Sequence, residues 1–159
     1  MATFLLYWNP FFSSYKIDRF LKEFDFSDGK DVLTEEDWDR LPDDFNWSIV
    51  EHEKAGCGDR FIFIKVGYEK PTGIVGVGTF VSDPYEDEDW SGQGRKVFYM
   101  DMEWESVVNP SSDKVLRTER LVEAIPEVQW TKGRAGVEVA PEIAARIEAL
   151  WEKHLEEVK

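Results

Sequence analysis

Three apolar segments between Arg60 and Val107 constrain this chain more than anything else in it. Arg60-Phe-Ile-Phe-Ile-Lys-Val66 is a run of β-favouring residues entered from the turn signal Gly58-Asp59. Gly67 to Thr72, with Pro71 inside it, is short enough to fold the chain back as a hairpin, and Gly73-Ile-Val-Gly-Val-Gly-Thr-Phe-Val81 returns as the next strand. Its glycines at 76 and 78 mark a bulge, or a place where something comes close to the backbone. After the polar stretch from Asp83 to Gly94, Lys96 to Val107 alternates. Val97, Tyr99, Asp101 and Glu103 fall on one face; Phe98, Met100, Met102 and Trp104 fall on the other. That period of two predicts a strand with one buried face, because a helix would scatter both sets.

The flanks complete the pattern. Thr3-Phe-Leu-Leu-Tyr-Trp8 reads as a buried first strand stopped by Asn9-Pro10. Ser13 or Ser14 can cap a helix over 14–24 whose apolar face is Tyr15, Ile17, Phe20, Leu21 and Phe24. From Asp25 to Asn46 the chain turns acidic. Thr34-Glu-Glu-Asp37 matches a capping pattern for one short helix through Leu41, anchored by Trp38, and the rest reads as a surface excursion. Pro141 and Glu142 suit the first turn of a C-terminal helix over 141–157, with Ile143, Ile147, Leu150, Trp151, His154, Leu155 and Val158 as one stripe. The sum is a small α+β domain over residues 1–159, with a curved, mainly antiparallel sheet flanked by helices.

Composition narrows the functions open to such a domain. With 19 basic and 33 acidic residues the formal charge is −14. Phosphate backbones are gripped by Lys and Arg, so this chain is a poor candidate for wrapping bare duplex. One cysteine excludes a disulfide framework and a four-cysteine zinc site. The longest stretch free of charge, Pro71 to Ser82, falls short of the about 20 apolar residues that cross a bilayer. Met1-Ala2-Thr3-Phe4 has neither a basic region nor a small-residue cleavage site, so the expectation is a cytoplasmic protein without a membrane partner.

Catalytic chemistry finds little support. His154 lies on the helical stripe and reads as a packed side chain, and His52 with Cys57 is an isolated pair. The run Glu86-Asp-Glu-Asp89 reads as solvated charge. No cofactor, metal or catalytic residue is expected. The seven tryptophans are the unusual resource. Trp104 and Trp151 lie on predicted core faces, whereas Trp8, Trp47, Trp90 and Trp130 sit at element ends or in loops. Rings so placed either close an edge of the core or stack on a flat base, which is worth about 1–3 kcal/mol per base.

The order of motifs then becomes informative. Thr3-Phe-Leu-Leu-Tyr-Trp-Asn-Pro10 is followed by Trp47-Ser48, by Gly58-Asp59-Arg60 and its strand, and by Pro71-Thr-Gly-Ile-Val-Gly-Val-Gly-Thr79. Ser82-Asp-Pro-Tyr-Glu-Asp-Glu-Asp-Trp90, Trp130…Gly136 and Leu150-Trp151 close the series. This resembles the EVE-type branch of the PUA-like superfamily, in the versions attached to HNH nucleases and to modification-dependent restriction proteins. The resemblance covers nearly the whole chain apart from residues 25–46. It implies a small curved barrel, flanked by helices, that holds a nucleotide base, often a methylated one, in an aromatic pocket.

Position by position, the resemblance puts Trp8 and Asn9 at the pocket rim and Trp47 with Ser48 in the pocket segment. Tyr85 and Trp90 flank the variable loop over the pocket, Trp130 and Gly136 match the late Trp…Gly motif, and Asp59 is structural. Arg95, Lys96, Lys132 and Arg134 are the local cations for flanking phosphates. The implied function is a non-catalytic reader of a modified DNA or RNA base, single-stranded or flipped, with any effector supplied by a separate protein. The alternative is a protein-interaction module or an acidic nucleic-acid mimic on the same fold.

Overall fold

A computed structural model describes residues 1–88, 92–133 and 136–159. Along the chain run β1 (Thr3–Trp8), α1 (Ile17–Glu23), β2 (Val32–Thr34), β3 (Phe45–Ser48), β4 (Arg60–Lys65) and β5 (Gly73–Phe80). Then come β6 (Tyr85–Glu88), β7 (Lys96–Val108), β8 (Leu116–Arg117), α2 (Thr118–Ala124), β9 (Val137–Val139) and α3 (Pro141–Val158). The ladder runs β2-β7-β5-β4-β1-β9, with β3 and β6 also on β7 and β8 on β5. β1 and β4 are parallel and every other described pair is antiparallel. The architecture is thus α+β with a mixed, mostly antiparallel sheet. Its hydrogen-bonded path is open, running from β2 to β9.

β7 is the spine. One edge takes β5 at Met102–Val107 and β6 at Lys96–Tyr99; the other takes β2 at Ser106–Val108 and β3 at Tyr99–Met102. Its alternation turns Met100, Met102 and Trp104 into the core. The glycine signal in β5 is explained by Trp104. A Cβ on Gly76 would stand 2.5 Å from Trp104 Cζ3, so the missing side chain is the seat of the indole. Around that ring lie Phe61, Phe24, Phe45 and Phe63, with centroids 5.0, 5.1, 5.2 and 5.3 Å away. The register shifts between Val77 and Gly78, leaving Glu105 as the extra residue opposite them. Past the bulge the facing changes: Ser106 Oγ accepts from Trp151 Nε1 of α3 at 2.8 Å. Arg60 bridges Glu105 and Glu148, tying β4, β7 and α3 together.

Several elements differ from the sequence expectation. Ser13 caps no helix; its Oγ accepts from Tyr15 N at 3.0 Å, and α1 begins only at Ile17. Leu21 is exposed rather than on the buried face. The acidic stretch is only partly an excursion, because β2 and the Phe45-Asn46 half of β3 join the sheet through β7. The capping box does form, Asp37 accepting from Thr34 N at 2.9 Å, but it starts a 3-10 turn over Glu35–Arg40 on which Trp38 is 75% exposed and anchors nothing. α3 follows the predicted stripe, with Ile147, Trp151, His154 and Leu155 buried. Among the described residues no helix is long and apolar enough to cross a membrane.

Lys65, a charge at the end of β4, is fully buried, and its Nζ donates to Pro110 O at 2.9 Å. Burial holds its ammonium below the ordinary value of 10.5, against a weaker upward pull from Glu69.

Two outcomes are expected. Gly76→Ala forces its methyl onto Trp104 and should cost about 1–3 kcal/mol in urea unfolding, a penalty that shrinks in a Trp104→Phe background. Lys65 binds fewer protons folded than unfolded between its lowered value and 10.5, so its contribution rises with pH across that interval. The stability of wild type minus that of Lys65→Met should therefore increase as pH approaches 10.5; a flat difference would refute the assignment.

Candidate functional site

The end of β3 brings the Trp-Ser dipeptide to the surface. Antiparallel pairing sets Trp47 opposite Met100 and Ser48 opposite Tyr99, and Ile49 N donates to Phe98 O at 2.8 Å. The loop after β1 supplies Ser13 and Ser14, and the start of β7 supplies Arg95, Val97 and Tyr99. Together with Trp47 and Ser48 they line a cleft of about 180 Å³. Drug-sized sites run to about 300–1,000 Å³, so this one suits a single flat ring.

Trp47 is only 6% exposed. Phe63, Tyr15 and Phe45 stand 4.8, 5.5 and 6.2 Å away, so Trp47 offers the cleft an edge on a rigid base rather than an open face. The Ser48 hydroxyl makes no hydrogen bond to a described residue and is open to a ligand. Behind the cleft, Tyr99 Oη donates to Glu88 O at 3.1 Å and Tyr85 Oη donates to Asp101 Oδ1 at 2.6 Å. Burial, helped by Asp101, pushes the Tyr85 phenol up, so it stays a neutral donor through the physiological range. The cleft thus joins aromatic carbon, serine hydroxyls and one guanidinium, a set suited to the face and edge of a heterocycle.

Other sequence-proposed residues fall elsewhere. Trp8 is fully enclosed, stacked on Phe20 at 5.2 Å, with Nε1 donating to Tyr15 O at 2.7 Å. Asn9 shapes the next turn: its Oδ1 accepts from Phe11 N, and its carbonyl from Phe12 N and Ser13 N. Trp130 is buried, donates to Ile125 O at 2.8 Å, and borders a separate hollow of about 400 Å³ with Tyr68, Lys70 and Thr131. Tyr7 Oη donates to Gln129 O beside it at 2.6 Å, and burial pushes that phenol up to about 12. Lys96 and Lys132 are exposed, and Asp59 is a structural clasp, accepting from Ala2 N and Gly56 N. Trp90 and Arg134 lie outside the described residues.

Gly136 acts on the cleft at one remove. Its φ is +77°, and a Cβ there would meet Ile49 Cγ1 at 2.3 Å. It therefore lets the strand entering β9 press on the residue directly after Ser48. Sequence reading missed Ser13, Ser14, Val97 and Tyr99 as lining residues. The two serines carry signals read as helix caps, whereas Val97 and Tyr99 were visible as the β7 face opposite Trp104. Among the described residues no group of three or more His, Cys, Asp and Glu is placed to hold a metal ion.

Solved structures with a similar backbone bear on the fold, and one of them is close enough to define its class. The chain is similar to the Mmi1 YTH domain, with 14% identity and a TM-score of 0.52 over 98% of this chain and 78% of that one. It is also similar to the Mmi1 YTH domain in complex with RNA, with 14% identity and a TM-score of 0.49 over 98% and 80%. A further neighbour is the YTH domain of Zygosaccharomyces rouxii MRB1 protein in complex with N6-methyladenosine RNA, at 17%, 0.38, 94% and 85%. The first of these makes the architecture a YTH-like α+β fold. No protein-family model and no curated protein matches the chain.

Gly136→Ala combines a positive φ with a collision on Ile49 and should cost more than about 1 kcal/mol. Because Ile49 carries the strain, amide shifts should move at Ser48 and Ile49 in a ¹⁵N spectrum; a perturbation confined to residues around 136 would contradict the coupling.

Proposed function

We propose that this chain is a non-catalytic reader of a modified nucleobase, taken from a single strand or flipped from a duplex, and bound in the Trp47–Ser48 cleft. The observation that carries the reading is the convergence of Trp47, Ser48, Ser13, Ser14, Tyr99 and Arg95 on one ring-sized cleft. The fold supports it, since the Mmi1 YTH domain, whose architecture the chain shares, also occurs in complex with RNA. The motif series supports placing the chain near the EVE-type branch of PUA-like domains, and on that reading Trp90 is also proposed as a base-contacting residue.

The energetics fit a small, local ligand. Taking a base out of its stack costs a few kcal/mol, least from a single strand. Stacking returns about 1–3 kcal/mol per base, and the serine hydroxyls can meet its polar edge. At −14 the protein has little long-range attraction for phosphate, so affinity comes from the cleft and the salt dependence is shallow. Arg95, Lys96, Lys132 and Arg134 are proposed for the phosphates on either side. Any enzymatic consequence belongs to a separate effector protein.

Trp47→Ala would empty part of the core at about 3–5 kcal/mol and is a poor probe of binding. Ser48→Phe fills the cleft from its rim and is the better one. Single-stranded RNA and DNA nonamers carrying one central N6-methyladenine, 5-methylcytosine or the unmodified base are titrated by tryptophan fluorescence. One modified strand should be preferred at least tenfold over its parent, Ser48→Phe should abolish the preference, and Trp90→Ala should reduce it. No discrimination on either backbone would leave the protein-interaction reading in its place.

A further inference from the structure

Phe11, Phe12 and Tyr68 are 55%, 73% and 74% exposed, yet they touch one another. Phe11 meets Phe12 at 4.9 Å and Tyr68 at 5.6 Å, both edge to face. Exposed rings on loops normally move freely; these are held. Asn9 Oδ1 accepts from Phe11 N at 3.1 Å, Asn9 O accepts from Phe12 N and Ser13 N, and Lys16 Nζ donates to Pro10 O and Phe11 O at 3.0 and 2.9 Å. On the opposite loop the Asn9 amide packs where Gly67 has no side chain, immediately before Tyr68. The loop that carries Phe11 and Phe12 is thus tied down while more than half of each of the three residues stays open to water.

Their position gives the arrangement a use. Ser13, which lines the cleft, directly follows Phe12 in the chain, so the loop that carries the first two rings runs straight into the cleft wall. At the other end Tyr68 borders the hollow that contains Lys70 and Thr131, next to Lys132. Cleft, rings and hollow therefore follow one another, with Lys16 and Lys70 beside them. Glu119 also lines the hollow, and Glu69 lies between Tyr68 and Lys70 in the chain.

We propose that Phe11, Phe12 and Tyr68 form a stacking platform for the bases adjacent to the one in the cleft. This rests on the base-reading function above and makes the ligand a strand of several nucleotides rather than a lone nucleotide. Aromatic faces accept any base, so the platform adds affinity without sequence preference.

The test compares wild type with the double variant Phe12→Ser/Tyr68→Ser, whose side chains are exposed and whose melting temperature should match wild type. Each is titrated with nonamer strands, RNA and DNA, carrying N6-methyladenine or 5-methylcytosine, and with the corresponding free nucleosides. The wild type should bind its preferred strand at least tenfold tighter than the nucleoside. The double variant should lose at least tenfold on the strand, modified or not, while nucleoside affinity stays the same. A loss below twofold with nucleoside binding intact overturns the platform and leaves the cleft reading standing. Wild type binding neither strand nor nucleoside overturns both. Sedimentation velocity closes the remaining case: self-association lost in the variant, with strand affinity unchanged, would assign the rings to a protein contact and overturn the proposal.

Discussion

The packing of Trp104 against the bare backbone at Gly76 is the contact on which the rest of the molecule depends. An indole can sit this close to a neighbouring strand only where that strand lacks a side chain. Four phenylalanines from β3, β4 and the end of α1 then close around it, joining elements far apart in sequence. The bulge beside it lets β7 serve two surfaces, sending Trp104 into the aromatic core and Ser106 to Trp151 of α3. Without the bulge a strict alternation would put residues 104 and 106 on the same face.

The cleft inherits its rigidity from this core. Trp47 rests on Phe63 and Phe45, both of which also contact Trp104, so the floor of the site is one layer of rings from the hub. Ser48 is aligned by its pairing with Tyr99, and the chain after it is pressed into place by Gly136. A cleft of this size suits a ligand whose shape is flat and whose polar atoms lie on its edge. Such a ligand does not require the positive field that long duplexes need, so a charge of −14 is compatible with the proposed base ligand.

What residues near one another in sequence can dictate was decided by the sequence itself. The period-two pattern of Lys96–Val107, the apolar runs that became β1, β4 and β5, and the 3.6-residue stripe of α3 each depend on local spacing, and each was legible. The glycines at 76 and 78 were legible as a bulge or a close approach, and the structure has both, the bulge at Val77/Gly78 and the indole against Gly76. Only the order of motifs along the whole chain singled out the Trp47-Ser48 pair as the proposed site.

Partners distant in sequence decided the remainder. β2, the short β3 and β9 have too few residues to show a period and exist because β7 and β1 offer them hydrogen bonds. Trp8, Trp47 and Trp130, at element ends, looked equivalent, yet Trp8 and Trp130 became enclosed while Trp47 borders a cleft; Trp38, expected to anchor its short helix, stayed in water. Ser13 and Ser14 became cleft residues only because the β1 loop folds against the end of β3. Sequence determines which side chains can be buried; which of them reach the surface together depends on contacts that close only when the sheet is complete.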